Sequence, residues 1–191
     1  SATGGSPPRR VFDPLDRAFF VGSLRHGNIT RVAADRTETI FFAGAEAERL
    51  TLGMQVDTAR RQLWVCTTKD SLGRIWIFDL ASGTRVADLD LTTVNPLAAC
   101  NDVLLDTDGS ALISDRENHH IYKIDAARAI SVWADSPLLE GGLVSLNSMD
   151  FTEDRSAVIT ATYLPPSLVR VDMKNPRDVR RAIGYMPDFF G

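Results

Sequence analysis

Short apolar segments recur along the chain at a nearly constant interval. Four of them resemble one another, at residues 29–33, 75–79, 121–125 and 168–172. Their last residues lie 46, 46 and 47 positions apart. Self-similarity at a period of roughly 40–50 residues is the sequence signature of a repeat fold, so we expect each repeat to be one structural unit.

Other features keep the same phase. Three residues each end a short apolar segment and are followed by a polar turn: Asp57, Asp106 and Thr152. Six residues further on lies the middle of a second apolar segment, at Leu63, Leu112 and Val158. Polar turns between apolar runs are typical of β-hairpins, so each repeat should contain an early hairpin.

Each repeat has room for four strands. In the second repeat we predict strands at 54–57, 62–67, 74–80 and 85–91, and in the third at 103–106, 111–115, 120–125 and 130–134. Middle strands such as Ile75-Trp76-Ile77-Phe78 are apolar without alternation, which indicates a strand covered on both faces. No stretch shows a sustained helical period. The pattern predicts an all-β protein, with four blades of a β-propeller, each of four antiparallel strands.

The repeats divide the chain. We place the blades at about residues 9–48, 49–98, 99–144 and 145–185, after a flexible leader at residues 1–8. The residues from 186 to 191 look like the start of a link to a further blade. An open arc of blades would expose an apolar sheet face at each end. We therefore expect further blades or a partner that supplies them, and self-association if the ring is incomplete.

Composition narrows the classes of function. The formal net charge is -4, and the chain has no basic field, which argues against a nucleic-acid partner. The longest apolar runs are too short to span a bilayer, so we expect no membrane partner, and the compartment stays open between cytoplasm and export. Cys66 and Cys100 do not make a disulfide framework, and we expect two buried thiols in strands.

The repeat phase identifies candidate site residues. In a propeller, the residues just before the innermost strand of each blade meet at one mouth of the central channel. Here these mouth positions are Leu52-Gly53, Asn101-Asp102 and Asn147-Ser148, so two asparagines recur 46 residues apart. Asn side-chain oxygens suit Ca²⁺, but an Asn also caps turns through its side chain. Spacing alone leaves both interpretations open.

Several segments resemble the gluconolactonase / senescence-marker-protein (regucalcin-like) family. They are residues 19–24 with 27–32, 52–57 with 63–65, 101–109 with 114–115 and 121–125, and 146–154. The resemblance covers nearly the whole chain from about Val11. It implies a ring of six blades, of which this chain matches about four.

The resemblance also implies a chemistry. In the family a divalent cation, usually Ca²⁺, lies at the channel mouth; Asn147 matches a direct metal ligand, and Asn101 matches a position that binds the metal or faces the substrate. The implied function is a metal-dependent hydrolase acting on a small lactone or ester, with a lactone or sugar acid as its ligand. The alternative is a non-catalytic propeller that serves as a ligand- or protein-binding scaffold. No catalytic side chain is assigned.

Two departures from the family pattern concern the metal site. Where the family has Glu-Gly-Pro before its first strand, this sequence has Pro8-Arg9-Arg10. The blade that would donate an Asp would follow Gly191. Asp13 or Asp102 could supply a carboxylate instead. The missing Glu favours the scaffold, and the paired asparagines favour the hydrolase.

Other polar residues receive structural assignments. Related paraoxonases use a histidine pair, but adjacent strand residues point to opposite faces, so we expect His119 and His120 not to form a dyad. We place these two and His26 in exposed turns. Asp115 ends a strand and could approach the channel mouth or pair with Arg116, and we favour a structural role.

Overall fold

The computed structural model describes residues 10–44, 49–141, 145–162 and 166–183. Within these ranges, sixteen strands form four separate sheets of four strands each. The described residues also contain two short 3₁₀ helices, at Leu91–Thr93 and Pro137–Leu139. No helix in this part of the chain is long and apolar enough to cross a membrane. The predicted leader at residues 1–8 and the predicted link from residue 186 lie outside the described residues.

The four sheets follow one another along the chain, and we call them blades 1 to 4. Blade 1 contains β1 (Arg10–Asp13), β2 (Ala18–Gly22), β3 (Ile29–Val32) and β4 (Glu38–Phe42). Blade 2 contains β5 (Leu50–Asp57), β6 (Gln62–Lys69), β7 (Leu72–Asp79) and β8 (Arg85–Asp90). Blade 3 contains β9 (Cys100–Leu105), β10 (Ala111–Asp115), β11 (His120–Ile124) and β12 (Ile130–Asp135). Blade 4 contains β13 (Met149–Phe151), β14 (Ala157–Thr162), β15 (Ser167–Asp172) and β16 (Val179–Ile183).

Within each blade the strands pair in chain order, each antiparallel to the one before. The first strands of neighbouring blades contact each other: β1 contacts β5, β5 contacts β9, and β9 contacts β13. First strands that meet while the later strands extend outward are the arrangement of a propeller around its channel. The prediction of an all-β propeller with four blades is therefore confirmed. The total number of blades in the ring stays a prediction.

The middle strands of blade 2 are apolar throughout because both of their faces are covered. Trp64 and Ile75 pack with Ile113 of blade 3, and all three are fully buried. Leu63 packs on the opposite face with Phe20 of blade 1. Burying each such side chain stabilises the fold by roughly 1.5–3 kcal/mol relative to its exposed state. The apolar sequence without alternation is therefore explained by packing between blades.

The two cysteines form a disulfide bond between blades. Cys66 lies in β6 and Cys100 in β9, and their Cα atoms are 5.9 Å apart. Both side chains are fully buried. The prediction of buried positions in strands is confirmed, but the prediction of free thiols is wrong. The two residues are 34 positions apart in the sequence, and only the packing of blade 3 on blade 2 brings them together.

The outward face of blade 1 is apolar. Phe12 and Phe19 are opposite each other on β1 and β2, and their ring centroids are 4.9 Å apart. Each is 44% exposed, and Ile40 on β4 is 65% exposed. This face has the composition of an inter-blade surface.

Candidate functional site at the channel mouth

The first strand of blade 3 begins with a β-bulge at Asn101-Asp102. These two residues together lie opposite the single residue Ser114 of β10. Blade 2 has the same irregularity at the same phase, where Leu52-Gly53 lies opposite Cys66. A bulge bends the strand and changes the direction of its side chains, and bulges are common next to active sites.

Blade 4 repeats this arrangement just before β13. The backbone N–H of Asn147 donates to the carbonyl of Ala161 at 2.9 Å, and the N–H of Ala161 donates to the carbonyl of Ser148 at 3.3 Å. Asn147 and Ser148 therefore also share one partner residue. The three mouth positions occupy equivalent places in three successive blades.

The two mouth asparagines are in direct contact. The Asn101 side-chain nitrogen Nδ2 donates to Asn147 Oδ1 at 3.1 Å and to the carbonyl of Leu146 at 2.9 Å. Asn101 is 5% exposed. Because its nitrogen lies between two oxygen acceptors, the orientation of this amide is fixed. Asn101 thus holds the side chain of Asn147 in place.

Asp102, the second residue of the bulge, places its carboxylate against the first strand of blade 4. Its Oδ2 accepts a hydrogen bond from the backbone N–H of Met149 at 3.1 Å, and its own N–H donates to Ser114 Oγ at 3.0 Å. Ser114 Oγ in turn donates to the carbonyl of Asn147 at 3.0 Å. A network of hydrogen bonds therefore links the mouth positions of blades 3 and 4.

Glycine at position 53 allows blades 2 and 3 to approach closely. A Cβ atom added to Gly53 would lie 2.6 Å from the Cα of Asp102 and 2.7 Å from the backbone oxygen of Asn101. Both are backbone atoms and cannot move aside as a flexible side chain would. Gly53 therefore sets the distance between β5 and the bulge that carries the candidate site.

We expect Gly53→Ala to lower the free energy of unfolding by about 1–3 kcal/mol, because the added methyl forces the inner strands apart. Chemical denaturation of the two proteins measures the effect. Gly22→Ala is not a suitable control, since the added Cβ would also meet a neighbour, Thr51. Ser148→Ala is suitable, because Ser148 is exposed at the equivalent position of blade 4. A Gly53→Ala protein as stable as the control would contradict the close approach.

Asp13 does not belong to the mouth. It lies at the opposite end of β1, where β1 turns into β2. Its fully buried carboxylate accepts hydrogen bonds from Arg61 of blade 2 at 3.1 and 3.0 Å. Arg155 and Asp106 make an equivalent pair between blades 4 and 3 at 2.6 Å. The hypothesis that Asp13 supplies the missing carboxylate is therefore wrong: it joins two blades on the other side of the propeller.

Asp115 is fully buried and takes a structural role. Its carboxylate accepts five hydrogen bonds: from Tyr122 OH at 2.6 Å, from Asn118 Nδ2, and from the N–H groups of Ala99, Glu117 and Asn118. Burial, together with this hydrogen bond and the neighbouring charge, raises the pKa of Tyr122, so the phenol stays protonated and serves as a donor. Arg116 pairs with Glu117 instead, at 3.2 Å. The structural interpretation of Asp115 fits this geometry.

His119 and His120 lie side by side, contrary to the prediction from strand alternation. Their ring centroids are 4.6 Å apart. β11 begins only at His120, so His119 lies in the preceding turn and the alternation of a strand does not separate the two rings. The prediction that adjacency prevents a pair was wrong for this reason. The prediction of an exposed turn is confirmed for His26 in blade 1 but is wrong for His120, which begins β11 and is only partly exposed.

Ser114 is a mouth residue that the repeat spacing did not predict. It lies on the second strand of blade 3, and its hydroxyl connects Asp102 with Asn147. A fully buried serine opposite two polar residues of the first strand indicates a hydrogen-bonded cluster. This pairing can be recognised only when the register at the bulge is known. Repeat spacing alone could not reveal it.

Comparison with known proteins gives the fold. No protein-family model and no curated protein matches the sequence. Solved structures do match. A catalytically inactive virginiamycin B lyase from Staphylococcus aureus, with quinupristin, is 12% identical with a TM-score of 0.74, over 95% of this chain and 57% of that chain. A gluconolactonase from Xanthomonas campestris is 15% identical with a TM-score of 0.68, over 92% of this chain and 61% of that chain.

A further match belongs to a different kind of protein. A chain of a nidogen/laminin complex is 16% identical with a TM-score of 0.70, over 93% of this chain and 64% of that chain. At these identities the likeness shows the propeller fold alone. The present chain spans about three-fifths of the length of these propellers, since it covers 57%, 61% and 64% of them.

Proposed function

We propose that this chain is part of a metal-dependent hydrolase of the gluconolactonase type, which acts on a small lactone or ester at the channel mouth. The observation that carries the proposal is the contact between Asn101 and Asn147. Two amides from successive blades meet at 3.1 Å, and the carboxylate of Asp102, the residue after Asn101, contacts the N–H of Met149, two residues after Asn147. The gluconolactonase among the structural matches supports this choice of substrate class.

The residues at the mouth fit a hard divalent cation such as Ca²⁺ in the type of their ligand atoms. Asn147 and Asp102 offer an amide oxygen and a carboxylate oxygen, and Ca²⁺ binds such oxygens. Asn101 presents its nitrogen to Asn147, so it orients the neighbouring ligand and would bind a cation only after its amide turned. In this proposal Asn147 and Asp102 hold the cation, and Asn101 is a positioning residue or contacts the substrate.

Two other mouth side chains would position the groups that bind the cation and the substrate. Asn101 fixes the position of Asn147 Oδ1 through its hydrogen bond, and Ser114 fixes the backbone of both mouth positions through its hydroxyl. Preorganised groups of this kind position a substrate without reorganising during the reaction. A bound divalent cation would supply Lewis acidity toward the lactone carbonyl and a more acidic water.

Calcium binding is the direct test of the mouth site. In the full chain, a Ca²⁺ concentration about 100 times Kd should stabilise the fold by about 2.7 kcal/mol and raise Tm by roughly 5–10 °C. Asn147→Ala should abolish this rise. The matched control is Asn175→Ala, because Asn175 is exposed in a turn of blade 4. A Ca²⁺ response that persists unchanged in Asn147→Ala would remove Asn147 from the site.

Hydrolysis separates the proposed enzyme from the alternative scaffold. Acid release from five- and six-membered sugar-acid lactones should require Ca²⁺ and should be lost with Asn147→Ala. The alternative has one feature in its favour: the hydrogen bond from Asn101 already occupies Asn147 Oδ1, the oxygen that a cation would bind. Ca²⁺ binding without any lactone hydrolysis would select the scaffold, and would be consistent with the nidogen-type match.

A further inference from the structure

Three potential metal ligands meet on the outer strands of blade 3. His119 Nε2 lies 3.2 Å from Asp135 Oδ1, and His120 Nε2 lies 3.6 Å from Asp135 Oδ2. The ligand atoms all lie within 4.8 Å of one another. This is the one group of at least three His, Cys, Asp or Glu side chains with such spacing among the described residues.

The register of the strands brings these groups together. His120 is the first residue of β11 and pairs with Asp135, the last residue of β12. A register shift follows between Ile121 and Tyr122, which marks an irregularity at this end of the strand pair. The carboxylate is therefore carried on a second strand opposite the histidine turn, and the arrangement does not depend on one flexible loop.

The distances match those of a small transition-metal ion. Zinc binds imidazole nitrogen and carboxylate oxygen at about 2.0–2.2 Å, so two ligands in a tetrahedral site lie about 3.4 Å apart. The two His–Asp distances, 3.2 and 3.6 Å, are close to that value but run to different oxygens of Asp135. The ligand atoms spread over as much as 4.8 Å, so binding would draw the three side chains slightly together. Calcium is a poor match because it prefers six to eight oxygen ligands. Imidazole ligands select zinc, copper, nickel or iron.

The surrounding side chains hold the inner histidine. Asn95 Nδ2 lies 3.4 Å from His120 Nδ1 and donates to Tyr122 OH at 2.9 Å. Tyr122 is anchored by the buried Asp115. The His120 side chain is only 18% exposed, whereas the side chain of His119 is 41% exposed and that of Asp135 is 59% exposed. His120 is therefore the inner ligand, and the other two leave a solvent-facing side. Because the Asn95 amide nitrogen can only donate, His120 Nδ1 accepts and Nε2 carries the proton; metal binding through Nε2 would move that proton to Nδ1 and turn the Asn95 amide away.

We propose that His119, His120 and Asp135 form a binding site for Zn²⁺ or a similar late first-row divalent ion, with one coordination position open to solvent. Zinc sites that accept a water molecule or a substrate commonly have three protein ligands and an open fourth position. The site lies two to three strand spacings from β9, about 10–15 Å from the channel mouth. It does not rest on the proposed hydrolase, and either can fail without the other.

Cobalt spectroscopy tests this site. The untagged full chain should bind one Co²⁺, develop visible absorption bands of a tetrahedral complex, and lose them when Zn²⁺ displaces the cobalt. Calorimetry then gives the Zn²⁺ affinity. Removal of an outer-shell partner typically weakens metal binding 10–100-fold, so loss of a direct ligand in His119→Ala should weaken it at least about 100-fold. Asp135→Asn should also weaken binding.

The chain offers a matched control. His26→Ala removes the remaining histidine, which is exposed in blade 1, and should leave metal binding unchanged. Equal Zn²⁺ affinity in His119→Ala and His26→Ala would overturn the proposal. So would a wild-type chain that binds no Co²⁺, in which case the three groups form only a hydrogen-bonded His–Asp cluster. All of these residues lie at the surface, so the variants should fold.

Discussion

Replacing both cysteines with alanine is expected to lower the free energy of unfolding by about 4 kcal/mol. The disulfide closes a loop between residues separated by 34 positions, and the chain-entropy model assigns about this value to a loop of that length. The bond also lies inside the apolar core between blades 2 and 3, where it contacts the layer that contains Trp64 and Ile113. Its loss should therefore loosen the packing of these two blades.

Denaturation of Cys66→Ala/Cys100→Ala and of the wild type, each with and without reducing agent, separates the effects. On reduction the wild type should lose most of its stability advantage over the double variant. The unfolding free energy of the double variant should not change. The difference in unfolding free energy that remains between the two reduced proteins measures the cost of shortening the two side chains. Two titratable thiols in the unreduced, unfolded wild type would show that the bond is absent and would contradict the prediction.

The repeat architecture could be predicted because its signal is distributed over the whole chain. An interval of 46 or 47 residues fixes the phase of each strand, whatever the identity of a single residue. Strand ends were less predictable. β5 begins at Leu50, whereas the sequence predicted Met54. The bulge at Leu52-Gly53 interrupts the regular pairing of β5 with β6. The residues before the bulge therefore do not continue the sequence pattern of the residues after it, and the strand start was predicted too late.

The contact between Asn101 and Asn147 followed from the same phase, since equivalent positions of neighbouring blades must converge. Contacts between non-equivalent positions could not be predicted in this way. Cys66 lies on a second strand and Cys100 on a first strand, so repeat spacing gives no reason to pair them. Their bond depends on which faces of two blades meet, and this is decided by packing.

The histidine pair illustrates a second limit. The rule that neighbouring strand residues face opposite sides is correct inside a strand, but His119 lies one residue before β11. The predicted strand, 120–125, also began at His120, so the boundary was right and the rule was applied to a residue outside the strand. Asp135 was not considered at all, because it lies 15 residues further on, at the end of the next strand.

Asp115→Ala is expected to lower the free energy of unfolding by about 3 kcal/mol or more. The substitution removes the acceptor of five hydrogen bonds, and the donors that lose it include the buried Tyr122 hydroxyl and the N–H of Ala99. Each buried donor left without an acceptor costs about 1–3 kcal/mol. These donors lie in β11, in the turn before it and in the segment that leads into β9, so the effect should concentrate at the mouth end of blade 3.

Asp125→Ala is the matched control for this prediction. Asp125 lies at the other end of β11, where its carboxylate accepts one hydrogen bond, from the exposed N–H of Ala129 at 2.9 Å. Its replacement should cost less than about 1 kcal/mol, because water can replace an exposed acceptor. Denaturant midpoints of the two variants compare the costs directly. Hydrogen exchange should show increased opening of residues 97–101 and 116–122 in Asp115→Ala only. Equal midpoints would mean that Asp115 is not the acceptor that holds this end of the blade.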